Sequence, residues 1–132
     1  MKIINERIKL NTKGNPDLID ITQDLSSVLA SSKLKKGSLT VFVGGSTAAI
    51  TTFEYETGLE EDIRNLYEKL IPSGKGYRHD ETWGDANGFS HLRAALQGPS
   101  LTVPFEGGKL LLGTWQQVVL AGREQEQRAG IR

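Results

Sequence analysis

Cysteine is absent from this chain of 132 residues, which excludes disulfides and thiolate ligands together, so any metal would need imidazole, carboxylate and water. That composition suits a cytoplasmic protein. A dominant charge is lacking too. Sixteen Lys and Arg balance 16 Asp and Glu, which leaves no overall field for nucleic acid or an anionic membrane, so an anion must be bound locally. No apolar run approaches the roughly 18 residues a membrane-spanning helix requires, and Glu6 and Arg7 interrupt the opening before a signal-peptide core could form. The expectation is a soluble cytoplasmic protein with no nucleic-acid or membrane partner. Repeats, low-complexity tracts and linkers are missing as well, and the length fits one domain over 1–132.

What is present is an alternation of β-prone and helix-periodic segments. Ile3, Ile4, Ile8 and Leu10 mark a first strand stopped at Lys13-Gly14-Asn15-Pro16. Ile19 and Ile21 alternate with polar residues, and from Thr22 the spacing of Leu25, Val28 and Leu29 predicts a short amphipathic helix to about Ser32. Leu39–Val43 and Ala48–Phe53 read as strands joined by Gly44-Gly45-Ser46-Thr47, with Thr51, Thr52, Glu54 and Glu56 extending the second. Leu59, Ile63, Leu66, Tyr67 and Leu70 form one face of a helix ended by Pro72-Ser73-Gly74. Residues 73–88 read as a long polar loop. A helix from about Ser90 to Gln97 follows, then strands over Leu101–Phe105 and Leu110–Ala121 divided by a Glu106-Gly107-Gly108-Lys109 hairpin turn. The tail from Gly122 is charged. This order predicts an α+β single domain with two to three short helices.

Chemistry concentrates between Tyr77 and Gln116. His79 and His91, the only histidines, stand twelve residues apart among Asp80, Glu81, Asp85 and Asn87. That spacing matches neither the i, i+4 pair of a helical zinc site nor a zinc finger, so the two would converge only if the 80–88 segment folded back. Joined, they suit a divalent ion such as zinc or magnesium, with Glu81 or Asp85 near it; solvated loop histidines are the alternative. Glu54, Asp85 and Asn87 are the candidate catalytic groups. Gly45, Ser46 and Thr47 could hold phosphate through backbone N–H groups and hydroxyls, although no Gly-Lys-Ser/Thr follows and a simple hairpin turn fits the same residues. On a continuous strand Thr114 and Gln116 would point opposite Trp115 and offer hydrogen bonds to a polar ligand; a core Trp115 with exposed glutamines is the other reading.

Taken in order, Gly45-Ser46-Thr47-Ala48-Ala49-Ile50-Thr51, Tyr77-Arg78-His79, Trp83-Gly84-Asp85-Ala86-Asn87-Gly88, Ser90 to Ser100 and Leu112-Gly113-Thr114-Trp115-Gln116 resemble the YjbQ-like family, also called the secondary thiamine-phosphate synthase family. The resemblance spans nearly the whole chain. It implies a small α+β fold with two β-sheets, a homotrimer with polar pockets near subunit boundaries, and a side activity joining a pyrimidine diphosphate to a thiazole phosphate with loss of pyrophosphate. It maps the family's histidines onto His79 and His91. Two departures stand out: Gly45 occupies the place where many relatives carry a histidine, leaving two histidine ligands, and residues 123–132 look like an incomplete version of the basic strand that closes relatives.

Two functions follow. One is a metal-dependent enzyme on phosphorylated metabolites: the ion on His79 and His91 stabilises charge on a leaving diphosphate, Ser46 and Thr47 bind phosphate, and Trp115 stacks on a substrate ring. The other is a non-catalytic trimeric module that binds a metal or a phosphorylated metabolite, in keeping with the lack of a recognisable nucleophile–base pair.

Overall fold

The alternation of apolar and polar residues in the first strand, β1 (Glu6–Thr12), is preserved as half-buried Ile8 and Leu10 between exposed neighbours. The computed structural model describes residues 1–12, 17–84, 86–122 and 125–132, and the turn at Lys13-Gly14-Asn15-Pro16 lies outside them. A short β2 (Asp17–Asp20) leads into α1 (Thr22–Ser32). The Asp20 carboxylate accepts the Thr22 N–H at 2.9 Å, which satisfies one of the amides a helix start leaves open. Leu25 and Leu29 are the buried stripe of α1.

The strands β3 (Lys36–Val43) and β4 (Ala48–Phe53) form as the sequence predicts, but they do not make a hairpin. β3 belongs to a five-stranded sheet of order β1-β8-β3-β5-β6, and β4 to a three-stranded sheet of order β2-β7-β4. Residues 44–47 therefore carry the chain from one sheet to the other. The reason is burial: Leu39, Val41 and Val43 face the same apolar layer as Ala48 and Ile50, which places the two strands on opposite sides of it. Glu54 and Glu56 do not extend β4, which ends at Phe53. Glu56 instead starts α2 (Thr57–Leu70), its carboxylate accepting the N–H groups of Gly58 and Leu59 at 2.7 and 2.8 Å.

The long loop expected over 73–88 contains a further helix, α3 (Arg78–Trp83), before α4 (Gly88–Gln97). Six residues with no buried side chain give no apolar stripe to read, so hydrophobic periodicity could not reveal it. β5 (Ser100–Glu106) and β6 (Lys109–Leu110) make the expected hairpin, in which Gly107 and Gly108 both take positive φ, 61° and 75°. That pair of left-handed positions suits a primed turn, which glycine adopts without a Cβ clash.

The continuous strand expected over Leu110–Ala121 is broken. β6 stays in the five-stranded sheet, and β7 (Gln117–Gly122) lies between β2 and β4 in the other, so 111–116 is a second crossing between sheets. The closing segment also differs from expectation. Gln125–Ile131 is a full strand, β8, paired with β1 from Glu6↔Ile131 to Thr12↔Gln125 and with β3 through Val41↔Ile131. Its charged composition concealed a strand whose buried members include Ala129 and Ile131.

Among the described residues, then, eight strands and four helices form an α+β domain of two antiparallel sheets. The layer between them is filled by Leu39, Val41, Val43, Val103, Phe105, Ala129 and Ile131 from one sheet, and by Ala48, Ile50, Val118 and Leu120 from the other. Ile21 and α1's Leu25 and Leu29 complete this layer. The opposite face of the smaller sheet carries a second cluster, Leu18, Val119 and Ala121, with Phe53 and α2's Ile63 packed on it. No helix among the described residues is long and apolar enough to cross a membrane.

Because Ile131 is buried between β1 and β3 in the larger sheet, Ile131→Ala should lower unfolding free energy by about 2–4 kcal/mol. The exposed Phe42→Ala, on the same sheet, should cost clearly less. Urea unfolding followed by circular dichroism, with the denaturant slope unchanged, would measure both.

Candidate functional site

The 78–91 segment builds the principal candidate site. Gly84 and Ala86 take left-handed φ of 70° and 53°, a conformation an alanine adopts at a cost of order 1 kcal/mol, and the chain doubles back between α3 and α4. His79 in α3 and His91 in the first turns of α4 are thereby brought into ring contact, with centroids 4.4 Å apart and planes tilted by 54°. Both are half-buried. Asn87 precedes α4, its carbonyl accepting the His91 N–H. The Asn87 Oδ1 is itself buried and accepts no hydrogen bond from the described residues. Asp85 lies outside the described residues, and Glu81 is exposed. Among the described residues no cluster of three or more His, Cys, Asp or Glu is placed to hold a metal ion.

A polar anchor that no periodicity in the sequence signals sets the helices around this pair. Arg93, 6% exposed, donates from Nη2 to Glu68 at 2.9 Å and from Nε and Nη2 to the Ile71 carbonyl at 3.1 and 2.7 Å. Its guanidinium also lies over Phe89 at 5.0 Å and Tyr67 at 5.5 Å, contacts that offset part of the cost of burying a cation. Glu68 in turn accepts the Ser73 N–H at 2.8 Å and the Ser73 hydroxyl. Tyr67 donates to the Gln97 Oε1 at 2.8 Å, and burial pushes its phenol pKa up against the opposing effect of Arg93. The end of α2, the 71–77 segment and α4 are thus held by one network.

The residues expected to bind substrate divide into two places. Gly45 is half-buried, Ser46 exposed and Thr47 buried at the start of β4. Thr114, Trp115 and Gln116 sit in the 111–116 crossing near the other end of that strand, where the Gln116 Nε2 donates to Thr52 Oγ1 at 3.3 Å. From Thr47 to Thr52 is roughly 17 Å of strand, so a single chain does not unite them as one pocket. The turn is closed by Gln116 N–H on the Gly113 carbonyl and Gly113 N–H on Gln116 Oε1, both 3.0 Å. Trp115 is 70% exposed; it is no core residue, and Thr114 and Gln116 do not alternate against it as on a strand. Glu54 is exposed just past the same end of β4.

The Ser73 backbone and hydroxyl, and then Arg93, hold the Glu68 carboxyl below its ordinary pKa. A lowered folded value stabilises the fold in full above the unfolded carboxylate pKa of about 4.3 and loses that contribution as pH falls through the folded value. The parent should therefore lose stability on acidification below pH 4.3 more steeply than Glu68→Gln. Urea midpoints measured from pH 5 to pH 3 would show the difference in slope.

Comparison with known proteins accords with this architecture. A family model described as UPF0047 protein YjbQ-like matches residues 6–131. A UPF0047 protein of Archaeoglobus fulgidus is 42% identical over 112 residues, 85% of each chain, and one of Methanothermobacter thermautotrophicus is 39% identical over 132 residues, covering all of this chain and 91% of the relative. The crystal structure of a YbjQ-like protein of unknown function from Sulfolobus solfataricus superposes with a TM-score of 0.92 at 31% identity, over 98% of this chain and 95% of the other. With its two sheets, its sheet crossings and its match over nearly the full length, the chain belongs to the UPF0047 family of YjbQ-like proteins.

Proposed function

We propose that this protein is a small metal-dependent enzyme acting on phosphorylated metabolites, with a side activity like that of a secondary thiamine-phosphate synthase: joining a pyrimidine diphosphate to a thiazole phosphate and releasing pyrophosphate. The observation that carries this reading is the contact between His79 and His91, the chain's only two histidines, at 4.4 Å. Two imidazoles in contact suit zinc, which takes histidine nitrogens readily. Magnesium, which favours an all-oxygen shell, fits this donor set less well. Bound there, the ion would supply Lewis-acid stabilisation of a diphosphate leaving group.

The chain's own residues take the remaining roles. Ser46 presents an exposed hydroxyl beside the glycines at 44 and 45, whose backbone N–H groups suit phosphate oxygens. Trp115 offers an exposed ring for stacking, with Thr114, Gln116 and Glu54 near it. Since these two groups stand at opposite ends of β4, a homotrimer that sets the Trp115 turn of one protomer against the 44–47 turn of its partner would complete the pocket. A cytoplasmic location accords with the absence of cysteine.

The imidazole contact and the exposed Ser46 suit equally a non-catalytic trimeric module that binds a metal or phosphorylated metabolite. Metal analysis and calorimetric titration with pyrophosphate, with and without zinc, separate the readings. His79→Ala and His91→Ala should each lose zinc and zinc-dependent pyrophosphate binding together, and Ser46→Ala should weaken pyrophosphate by about 1 kcal/mol. Zinc retained in full by the double histidine variant would place the ligands elsewhere. Tight binding without turnover of the two thiamine precursors would favour the module.

Light scattering should return three times the chain mass. A monomer at micromolar concentration would leave the two half-sites apart and remove the shared pocket.

A further inference from the structure

The imidazole contact requires α3 and α4 to be held at a fixed separation, yet α3 has six residues and no buried side chain. Packing does not hold it in place. One carboxylate spans the gap instead. Asp80 Oδ2 accepts the Tyr77 N–H at 3.0 Å, at the entrance to α3, while its Oδ1 accepts the Gly88 N–H at 2.9 Å, at the entrance to α4. Both amides are among those a helix start leaves open, so a single anion satisfies donors on two helices. A bond from a charged acceptor is also stronger than one between neutral groups. The spacing admits nothing larger at position 88: a Cβ there would lie 2.8 Å from the Tyr77 Cβ and 3.1 Å from Asp80 Oδ1. Tyr77 is itself pinned, its hydroxyl donating to the Pro72 carbonyl at 2.7 Å, one residue from the Ile71 carbonyl that Arg93 grips.

Resting on the imidazole site described above, we infer that Asp80 is its positioning residue: the carboxylate latches the start of α3 to the start of α4, and through that latch sets His79 against His91. His79 immediately precedes Asp80 on α3, and His91 follows Gly88 by three residues on α4. Each half of the latch therefore sits within one helical turn of the imidazole it places. Asp24, exposed on α1 and away from the imidazole pair, makes the charge-matched control.

The test compares the parent with Asp80→Ala, Asp80→Asn and Asp24→Ala, using zinc ions as the probe and, independently of metal, the nuclear Overhauser effect between the two imidazole rings. Asp80→Ala should lose the inter-ring effect and bind zinc about tenfold or more weakly, with far-UV circular dichroism unchanged. Asp80→Asn, which keeps one acceptor but turns an amide NH2 toward the second N–H, should fall between it and the parent. Asp24→Ala should match the parent. If Asp80→Ala does not fold, Gly88→Ala asks the same question with the carboxylate intact, since its methyl forces Tyr77 away and should separate the rings. A parent that shows the inter-ring effect but binds no zinc would defeat the metal reading and leave the latch standing. Rings still in contact and zinc affinity unchanged in folded Asp80→Ala or Gly88→Ala would overturn the latch.

Discussion

The apolar layer between the two sheets is the constraint from which the other elements take their places. Each sheet turns one row of alternate residues into it, Val41, Val103 and Ile131 from one side and Ile50, Val118 and Leu120 from the other. A β-strand shows one face to the core at a period of two, so a chain that supplies both walls has to change sheets at a strand end. Residues 44–47 and 111–116 are two such crossings. They carry the glycines, hydroxyls and the exposed Trp115 because a crossing is released from the alternation that fixes residues within a strand. The polar features of this chain lie where the sandwich construction leaves backbone free to be irregular.

The helical layer on the smaller sheet follows a different rule. Its apolar cluster is small, Leu18, Val119 and Ala121 with Phe53 and Ile63, and much of its definition comes from polar groups: Arg93 on Glu68 and Ile71, Glu68 on Ser73, Tyr67 on Gln97. Directional bonds specify a geometry that a few leucines would leave loose. Leu66, Leu70, Leu92 and Leu96 remain exposed on α2 and α4, so hydrophobic burial alone does not set how these helices lie. The imidazole contact is built on this polar scaffold.

Legibility in the sequence tracked the same division. Where a residue's place was decided by periodicity, as in α1, α2, β3, β4 and β5, the pattern in the sequence matches the element in the structure. Where it was decided by a partner far away in the chain, the pattern was silent or misleading. Gln125–Ile131 looked like a charged tail because four of its seven residues are Gln, Glu or Arg, and its strand character comes from β1 and β3. The run from Leu110 to Ala121 looked continuous because both sheets ask for the same alternation, and nothing local marks the change of sheet. Glu56 read as strand polarity although it caps α2. At the site, the histidines stood out by rarity, and the glycine at 84 allowed the fold-back, but Asp80 resembled any loop carboxylate.

The order β1-β8-β3 has a temporal side. The strands that flank β8 lie near the opposite end of the sequence, with Glu6 opposite Ile131 and Val41 opposite Ile131. Hairpins such as β5–β6 close over a few residues, whereas the larger sheet stays in two pieces, β1 alone and β3-β5-β6 together, until its last strand arrives to join them. The entropy lost in closing so long a loop grows only logarithmically with length, but contacts of such separation slow folding. The smaller sheet has all three of its strands by Gly122, while the larger one keeps an open edge on β3 until Gln125–Ile131 pairs with it.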